Sequence, residues 1–253
     1  MSKKDWLAGL RNNSDQKLIE FIPLSRENGK VFDPPVPSSK VIPEWYKRQK
    51  SQVYENNLAI DPVTGNSART IKACMPVFDM LSAGYSILLP ADIYVRPEGG
   101  DDNSPSFSWS IDNIKSIDVH DPVQFSEFNV PSDYYPTGIK LNNPWIIKTP
   151  PGYSCLFMTP PLREDLPYYS IPGIVDTDKH INPINFPVFF KRGWSGILEM
   201  NTPIIQVIPF KREEWSHAVL EENYLDSEAS WQNAKRKLTN RYKTFYRTPK
   251  VWR

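Results

Sequence analysis

The sequence predicts a mainly β protein: an antiparallel sandwich, jelly roll or cupin-like barrel with an extended N-terminal arm and a helical C-terminal tail. Proline is the first indication, with 25 in 253 residues, roughly twice the usual ~5%. Proline inside a long helix removes a backbone donor and clashes with the preceding turn. Short apolar runs, the clearest with a period of two, follow one another through the centre of the chain. The segment from Glu213 to Tyr246, in contrast, holds neither proline nor glycine.

Residues 1–50 are predicted to form the extended arm. The stretch 32–50 carries four prolines, and proline fixes its own φ and pushes the preceding residue towards extended geometry. One short helix is expected at Asp5–Leu10. Trp45 and Tyr46 follow the prolines, and aromatic side chains on an extended arm commonly anchor it to a surface. Both are therefore predicted to bind a partner.

Residues 51–212 are predicted to form the β core. The clearest strand is Ser106–Ile111, in which apolar side chains alternate with serines, as one face of a half-buried strand requires. Further strands are predicted from their content of Ile, Val, Tyr and Phe. They are Tyr85–Val95, Pro144–Thr149, Tyr153–Thr159, Phe186–Lys191, Gly196–Met200 and Pro203–Phe210. So many short strands without alternating helices favour antiparallel sheets.

Residues 213–253 are predicted to form a helical, basic C-terminal extension. Apolar and aromatic side chains recur near helical spacing between Trp231 and Tyr242. From Trp231 to the C-terminus there are eight basic and no acidic residues. The segment Trp231–Arg253 therefore carries a charge of +8, which leaves −7 on the rest of a chain whose net charge is +1.

The basic extension is a candidate partner-binding segment because aromatic side chains are interleaved with its charges. Besides a solvated helix face, two uses fit this pattern. The segment docks on a negative surface of its own or a neighbouring chain, or it binds nucleic acid nonspecifically through charge and stacking. Protein partners, in self-association or a larger assembly, are the favoured expectation, and nucleic acid is the weaker one. The predicted partner-binding residues here are Trp231, Lys235, Arg236, Lys237, Arg241, Tyr242, Lys243 and Arg247.

Sequence signatures of catalysis are scarce. The chain has no glycine-rich phosphate loop, no HExxH and no GxSxG, which disfavours the corresponding enzyme classes. Its three histidines include His120 and His180, and a cupin-like barrel commonly binds iron through two histidines and a carboxylate. In this alternative interpretation, His120, His180 and Asp178 are the candidate ligands of an iron site. Otherwise neither a catalytic residue nor a cofactor is predicted.

Cysteine use and apolar runs bear on the compartment. Cys74 and Cys155 are the only cysteines, and each lies in an apolar run, which favours buried thiols over a disulfide. No apolar run reaches the ~18 residues of a membrane span, and no signal-peptide pattern opens the chain. We therefore expect a protein that is made in the cytoplasm, is not secreted by a signal peptide and has no membrane partner.

Six segments between roughly Val41 and Glu214 form an ordered set of motifs. They are IPEWYK, IKACMPVFDMLSAGYSILLPADIYV, NPWIIKTPPGYSCLFMTPP, IPGIVDTD, NFPVFF and NTPIIQVIPFKRE. The set resembles an uncharacterised β-rich protein family of bacteria and tailed phages to which no function is assigned. The resemblance implies a β-rich single domain, and it implies no reaction, ligand or catalytic residue.

The sequence leaves two functions open. The first is a non-enzymatic binding or assembly component, such as a structural protein of a phage virion that is made in the cytoplasm of the host cell. The proline-rich arm and the separation of charge along the chain favour it. The alternative is a cupin-like, metal-dependent enzyme of oxygenase type that uses the iron site described above.

Overall fold

The fold is described from a computed structural model, which covers residues 17–51, 70–101, 103–111, 115–219 and 242–253. The chain divides into two compact units. The larger unit combines Met1–Val36 with Gly84–Arg212, and the smaller unit combines Pro37–Ala83 with Glu213–Arg253. Each unit is therefore built from two separate stretches of the sequence.

This division differs from the predicted arm, core and extension over 1–50, 51–212 and 213–253. The arm is split, because Glu20–Pro23 forms a strand that pairs with Trp145–Lys148 of the β core. From Pro37 onward the arm belongs instead to the same unit as the C-terminal extension. The predicted helix at Asp5–Leu10 lies outside the described residues.

The fold is mainly β, as predicted. In chain order the strands of the described part are β1 (Glu20–Pro23), β2 (Val36–Pro37), β3 (Tyr85–Leu88), β4 (Ile93–Asp101), β5 (Ser104–Trp109), β6 (Ile117–Val119), β7 (Ile139–Leu141), β8 (Trp145–Lys148), β9 (Tyr153–Met158), β10 (Tyr168–Ser170), β11 (Gly173–Val175), β12 (Phe186–Phe190), β13 (Gly196–Leu198) and β14 (Pro203–Lys211). All seven predicted strands are present. The predicted run Tyr85–Val95 forms two strands, β3 and the start of β4, because the chain turns at Pro90.

The helices are short. They are α1 (Asn28–Val31), α2 (Glu44–Arg48) and α3 (Met75–Leu81), with 3₁₀ turns at Ser38–Lys40, Ile71–Ala73 and Pro122–Phe125 and a π-helical turn at Tyr242–Tyr246. Prolines help to set where two of these helices, α2 and α3, begin. Pro43 is the N-cap residue of α2, and Pro76 lies in the first turn of α3, where its missing N–H would have no helical partner in any case.

The larger unit is built from antiparallel sheets. One runs in the order β11-β9-β14-β3, another in the order β10-β12-β7-β6 and a third in the order β13-β4-β5, while β1 pairs with β8. Every pair among these strands is antiparallel. The antiparallel β prediction is therefore confirmed.

One hydrophobic core joins these sheets. Its buried side chains come from strands of all four sheets, for example Ile87, Ile147, Val188 and Val207, and Leu166 joins them from a loop. Alternation along β12 directs Phe186, Val188 and Phe190 into this core. Phe189 lies on the opposite face of the strand and is also buried, because Phe125, Phe128 and Tyr169 pack against it.

The predicted helical extension is corrected in part. Residues 213–219 form no regular structure, and 242–246 form only a π-helical turn. A short helix in water needs a packed apolar face, and Trp215 is 88% exposed, so no packing stabilises a helix at this point. The segment 220–241, on which most of the helical pattern falls, lies outside the described residues.

The cysteines are both free. Cys155 is buried as predicted, and burial raises the pKa of its thiol to about 11. Cys74 is exposed, because it precedes α3 at the surface rather than lying in a strand. None of the helices in the described ranges has the length and apolar character that a membrane crossing requires.

Candidate partner-binding site

The smaller unit has a small core between two helices. Ile42 and Tyr46 from the α2 region and Leu81 from α3 are buried, and Val77 and Phe78 pack against them. These contacts fix α2 against α3. They also fix which side chains of the predicted binding segment face outward.

Trp45 and Tyr46 face in different directions on α2. Tyr46 is 1% exposed, whereas Trp45 is 40% exposed. The Lys72 ammonium lies 4.5 Å from the centroid of the Tyr46 ring and donates a 2.8 Å hydrogen bond to the Tyr46 carbonyl. Burial raises the pKa of the Tyr46 phenol. Tyr46 is therefore a core residue of the unit and not the surface anchor that was predicted, while Trp45 remains accessible to a partner.

The C-terminal segment is held on α3 by what we call the tail latch, formed by Phe78, Asp79, Arg247 and Lys250. Arg247 donates to both carboxylate oxygens of Asp79, from Nη2 at 2.7 Å and from Nε at 3.1 and 3.2 Å. Lys250 donates to the same carboxylate at 2.9 Å. The Arg247 guanidinium also lies 5.8 Å from the centroid of the Phe78 ring. One carboxylate on α3 thus holds two cations of the basic extension.

The electrostatics of the tail latch favour the ionised pair. The hydrogen bonds from Arg247, together with Lys250, hold the pKa of the Asp79 carboxyl below its usual range despite partial burial. Asp79 in turn raises the pKa of Arg247. The side chains of Asp79 and Arg247 are only 12% and 16% exposed, and such shielded, bidentate pairs are less screened by salt than surface pairs are.

The smaller unit also carries a set of exposed apolar side chains, which we call the outer apolar set. Trp215 and Val219, at 88% and 83%, are the most exposed. The set consists of Trp45, Ile71, Trp215, Val219, Tyr242, Tyr246 and Val251. Within the described residues it outnumbers the buried core of the same unit, which is three residues with two partly buried neighbours. Large apolar side chains that are exposed on a folded unit are candidates for contact with a partner.

The predicted partner-binding residues of the extension fall into three groups. Tyr242 and Lys243 are exposed, and Arg247 lies in the tail latch. The remaining five lie outside the described residues: Trp231, Lys235, Arg236, Lys237 and Arg241. Sequence reasoning missed Asp79 and Trp215. The signal for Asp79 was a single carboxylate within the apolar helix MPVFDML, since an acid in such a setting usually has a cationic partner.

The predicted iron site is not formed. The described part of the chain contains no group of three His, Cys, Asp or Glu side chains that could hold a metal ion. His120 Nδ1 lies 2.8 Å from Gln124 Oε1, and its ring meets Phe125 edge-on. Burial lowers the pKa of His120. His180 is exposed. Asp178 forms an ion pair with an arginine, Arg212.

That arginine organises what we call the Arg212 clamp, formed by Ser154, Asp176, Asp178 and Arg212. Arg212 Nη1 donates to Asp178 at 2.9 Å, to Ser154 at 2.9 Å and to Asp176 at 3.2 Å. The Gly152 N–H donates to the other oxygen of Asp178 at 2.8 Å. The hydrogen bonds from Arg212, reinforced by the Gly152 N–H, lower the pKa of Asp178 to about 2. A carboxylate held in this way stays ionised near neutral pH and does not carry protons there.

No protein-family model and no curated protein matches the chain. Among solved structures, a point mutant of the dUTPase from phage phi11 of S. aureus is similar with a TM-score of 0.30 and 9% sequence identity, over 55% of this chain and 84% of that chain. A similarity of this strength carries no argument about function, and the antiparallel β architecture described above rests on the strand pairing alone.

Proposed function

We propose that this protein is a non-enzymatic binding or assembly component that associates with protein partners through its smaller unit. The outer apolar set is the observation that carries the proposal. Burying apolar surface contributes about 25 cal/mol per Å², and aromatic side chains such as Trp215 and Tyr242 dominate the binding energy of protein interfaces. The exposed side chains of the outer apolar set leave this stabilisation to be gained from a partner.

The distribution of charge supports a protein partner over nucleic acid. A net charge of +1 gives the whole molecule little attraction for a polyanion, and nonspecific nucleic-acid binding depends on that attraction. Two of the eight cations of the extension, Arg247 and Lys250, already bind a carboxylate of the protein itself. These contacts support an acidic protein surface, rather than a nucleic acid, as the partner of the extension.

The resemblance of the central segments to proteins of bacteria and tailed phages favours a phage particle, or its assembly in the host cytoplasm, as the setting of this role. The enzymatic alternative lacks a comparable argument, because His120, His180 and Asp178 do not converge in the described part of the chain.

The test compares two pairs of exposed apolar residues. The variant Trp215→Ser with Val219→Ser removes the most exposed members of the outer apolar set. The matched control, Ile174→Ser with Ile181→Ser, removes side chains of the larger unit that are 64% and 66% exposed. Size-exclusion chromatography with light scattering measures the mass of each protein at equal concentration. We expect the full-length protein and the control to exceed the single-chain mass of 29.2 kDa, and the first variant to fall to it.

Two results would contradict the proposal. One is a full-length protein of single-chain mass at every concentration up to about 100 µM, a range that captures interfaces of micromolar affinity. The other is a control pair that weakens association as much as the variant of the smaller unit does. The same samples are titrated with single-stranded oligonucleotide, and binding at ~0.15 M salt would favour the nucleic-acid alternative.

A further inference from the structure

We propose that the turn formed by residues 121–128, which we call the aromatic cover, opens in response to acid. His120 holds the cover closed over Phe189 when its imidazole is neutral and releases it when the imidazole is protonated. This inference concerns the larger unit and does not depend on the proposed function. Three features carry it: how the cover is attached, where the two nitrogens of His120 lie, and which charges face them.

The aromatic cover is attached to the sheet by two rings. Phe128 stacks on Phe189 of β12, with ring centroids 5.4 Å apart and ring planes 15° apart. Phe125 meets Phe189 edge-on at 5.2 Å, and it lies so close to Gly138 that a Cβ there would be 2.2 Å from the Phe125 ring. Phe189 is 0% exposed, because these two rings and that of Tyr169 pack against it.

The backbone of the aromatic cover makes local hydrogen bonds. In the described part of the chain, the backbone hydrogen bonds of residues 122–128 link them to one another, to Asp121 or to Val130. No strand pairing therefore has to break when the cover moves away from Phe189. Such segments open at a lower free-energy cost than the whole domain needs to unfold.

His120 links the end of β6 to the aromatic cover. Its backbone N–H donates to the Gly138 carbonyl at 2.9 Å, which fixes its backbone beside β7. Its ring lies edge-on to Phe125, with centroids 5.2 Å apart, and Nδ1 lies 2.8 Å from Gln124 Oε1. Because Oε1 is an acceptor, Nδ1 carries the proton of the neutral ring.

The other ring nitrogen of His120, Nε2, decides the response to acid. Nε2 is buried and has no hydrogen-bond partner among the residues that the structure describes. Protonation turns it into a charged donor without an acceptor, and burying an unpaired charge costs far more than burying an unpaired neutral nitrogen. The protonated ring therefore favours conformations in which water reaches Nε2. Movement of Gln124 and Phe125 away from the ring provides that access.

The charges on the neighbouring strands do not offset this cost. Lys140 of β7 and Asp118 of β6 face His120, and they act on its pKa in opposite directions. Asp118 is already engaged, because its Oδ1 lies 3.0 Å from Lys115 Nζ and accepts the Val119 N–H at 2.8 Å. Burial, which lowers the pKa of His120, has the largest influence.

The aromatic cover itself contributes Gln124 and Asp121 to the surroundings of His120. The hydrogen bond to Gln124 raises the pKa of His120, but by less than burial lowers it. Asp121 directs its carboxylate to the Val123 N–H at 3.0 Å. The neutral imidazole is therefore the form that the closed cover favours.

The lowered pKa of His120 fixes the direction of the pH effect. The closed cover has its full stability above the ordinary histidine pKa of about 6.5 and loses stability as the pH falls below that value. An imidazole that ionises at about pH 6.5 in the open state and stays neutral in the closed state raises the open population up to about elevenfold at pH 5.5. Opening presents Phe125, Phe128 and Phe189 to solvent, an apolar surface of the kind that binds partners.

The experiment compares hydrogen exchange of residues 122–130 at pH 7.5 and pH 5.5, each corrected for the intrinsic exchange rate. The test variant is His120→Asn, whose amide N–H can still reach Gln124 but which has no ionisable ring. The matched control is His180→Gln with His217→Gln, since both of these histidines are exposed. We expect the unmodified protein and the control to lose at least threefold in protection at pH 5.5, and His120→Asn to lose none.

Strands β9 and β14 show whether the effect is local, because their protection should be the same at both pH values in all three proteins. Three results would overturn the proposal. They are equal protection of residues 122–130 at the two pH values in the unmodified protein, an equal loss in His120→Asn, and a loss that β9 and β14 share.

A second measurement needs no variant that could fail to fold. Nuclear magnetic resonance follows the Cε1–H signal of His120 from pH 5 to pH 8 in the folded protein and in the protein unfolded with urea. We expect the titration midpoint of His120 to lie at lower pH in the folded protein. A midpoint that is equal or higher in the folded protein would show that the closed cover does not disfavour the protonated ring, and the proposal would fall.

Discussion

At the scale of single residues, Gly84 is constrained by both conformation and space. Its φ is +63°, and a Cβ at this position would lie 2.0 Å from the Val207 carbonyl oxygen. Gly193 has a similar φ of +70° but no atom within 4 Å of a Cβ. Comparing substitutions at Gly84 and Gly193 therefore separates the cost of a left-handed backbone from the cost of a steric clash.

We predict that Gly84→Ala destabilises the protein far more than Gly193→Ala does. A non-glycine residue in the left-handed region costs roughly 1–2 kcal/mol, which is the whole effect expected for Gly193→Ala. Gly84→Ala adds displacement of β14 at Val207, so the loss in the free energy of unfolding exceeds that range. Urea unfolding of the two variants measures both losses. Equal losses in the free energy of unfolding would show that the backbone at Val207 shifts to accommodate the added methyl group without a measurable cost.

At the scale of elements, the Arg212 clamp joins three segments at one end of a sheet. Ser154 belongs to β9, Asp176 and Asp178 follow β11, and Arg212 follows β14. Strands β9, β14 and β11 are also joined by backbone pairing. The side-chain hydrogen bonds of the clamp therefore connect these three strands at the end of the sheet where their backbone pairing stops.

We predict that the contribution of the Arg212 clamp to stability disappears in acid. The pKa of Asp178 is about 2 in the folded protein, against about 3.9 in an unfolded chain. A carboxyl whose pKa is lowered by folding stabilises the folded state fully above the unfolded value and loses that effect as the pH falls from about 4 to about 2. Asp178→Asn should therefore lower Tm at pH 7, and the difference from the unmodified protein should shrink below pH 4.

The control for this prediction is Glu20→Gln. Glu20 forms an exposed ion pair with Lys148 at 3.6 Å, and exposed pairs contribute little, so its Tm should follow that of the unmodified protein throughout. A Tm difference for Asp178→Asn that stays constant from pH 7 to pH 2 would mean that the charge of Asp178 does not stabilise the fold.

The elements differ in how far the sequence predicts them. Strands such as β9 and β14 are predicted nearly to the residue, because apolar content and flanking prolines report local conformation directly. The expected helix is not formed in residues 213–219, which are exposed, and a short helix in water needs a packed apolar face. Helical spacing in a sequence indicates that a face is apolar, and it does not indicate whether anything covers that face.

Of the two partners in the tail latch, the sequence predicts only the basic C-terminal segment. Composition identifies a basic, aromatic C-terminal segment, and in the structure Arg247 of this segment forms an ion pair within the chain. The acceptor Asp79 lies 168 residues earlier in the chain. A pairing over that distance is fixed by the tertiary fold, so no local sequence pattern predicts it. The tertiary fold also determines that Trp45 is exposed while Tyr46 is buried.

At the scale of the whole molecule, the large hydrophobic core lies in the larger unit, whereas the proposed function assigns association to the smaller unit. Among the residues that the structure describes, the buried members of the large core end at Val207, so none of them belongs to the C-terminal extension. Residues 231–253 of the extension hold a charge of +8, one side of the tail latch and three members of the outer apolar set, Tyr242, Tyr246 and Val251. Loss of the extension should therefore affect the units unequally.

We predict that a chain ending at residue 230 keeps the fold of the larger unit and loses association. Truncation removes eight basic residues and leaves a net charge of −7. It also removes Arg247 and Lys250, the two cations that bind Asp79. Near-UV circular dichroism should retain the signal of the buried aromatic cluster around Phe189 and Phe190, while light scattering should give the mass of one truncated chain under conditions in which the full chain associates. A truncated chain that associates as strongly as the full-length protein would show that residues 231–253 are not needed for association.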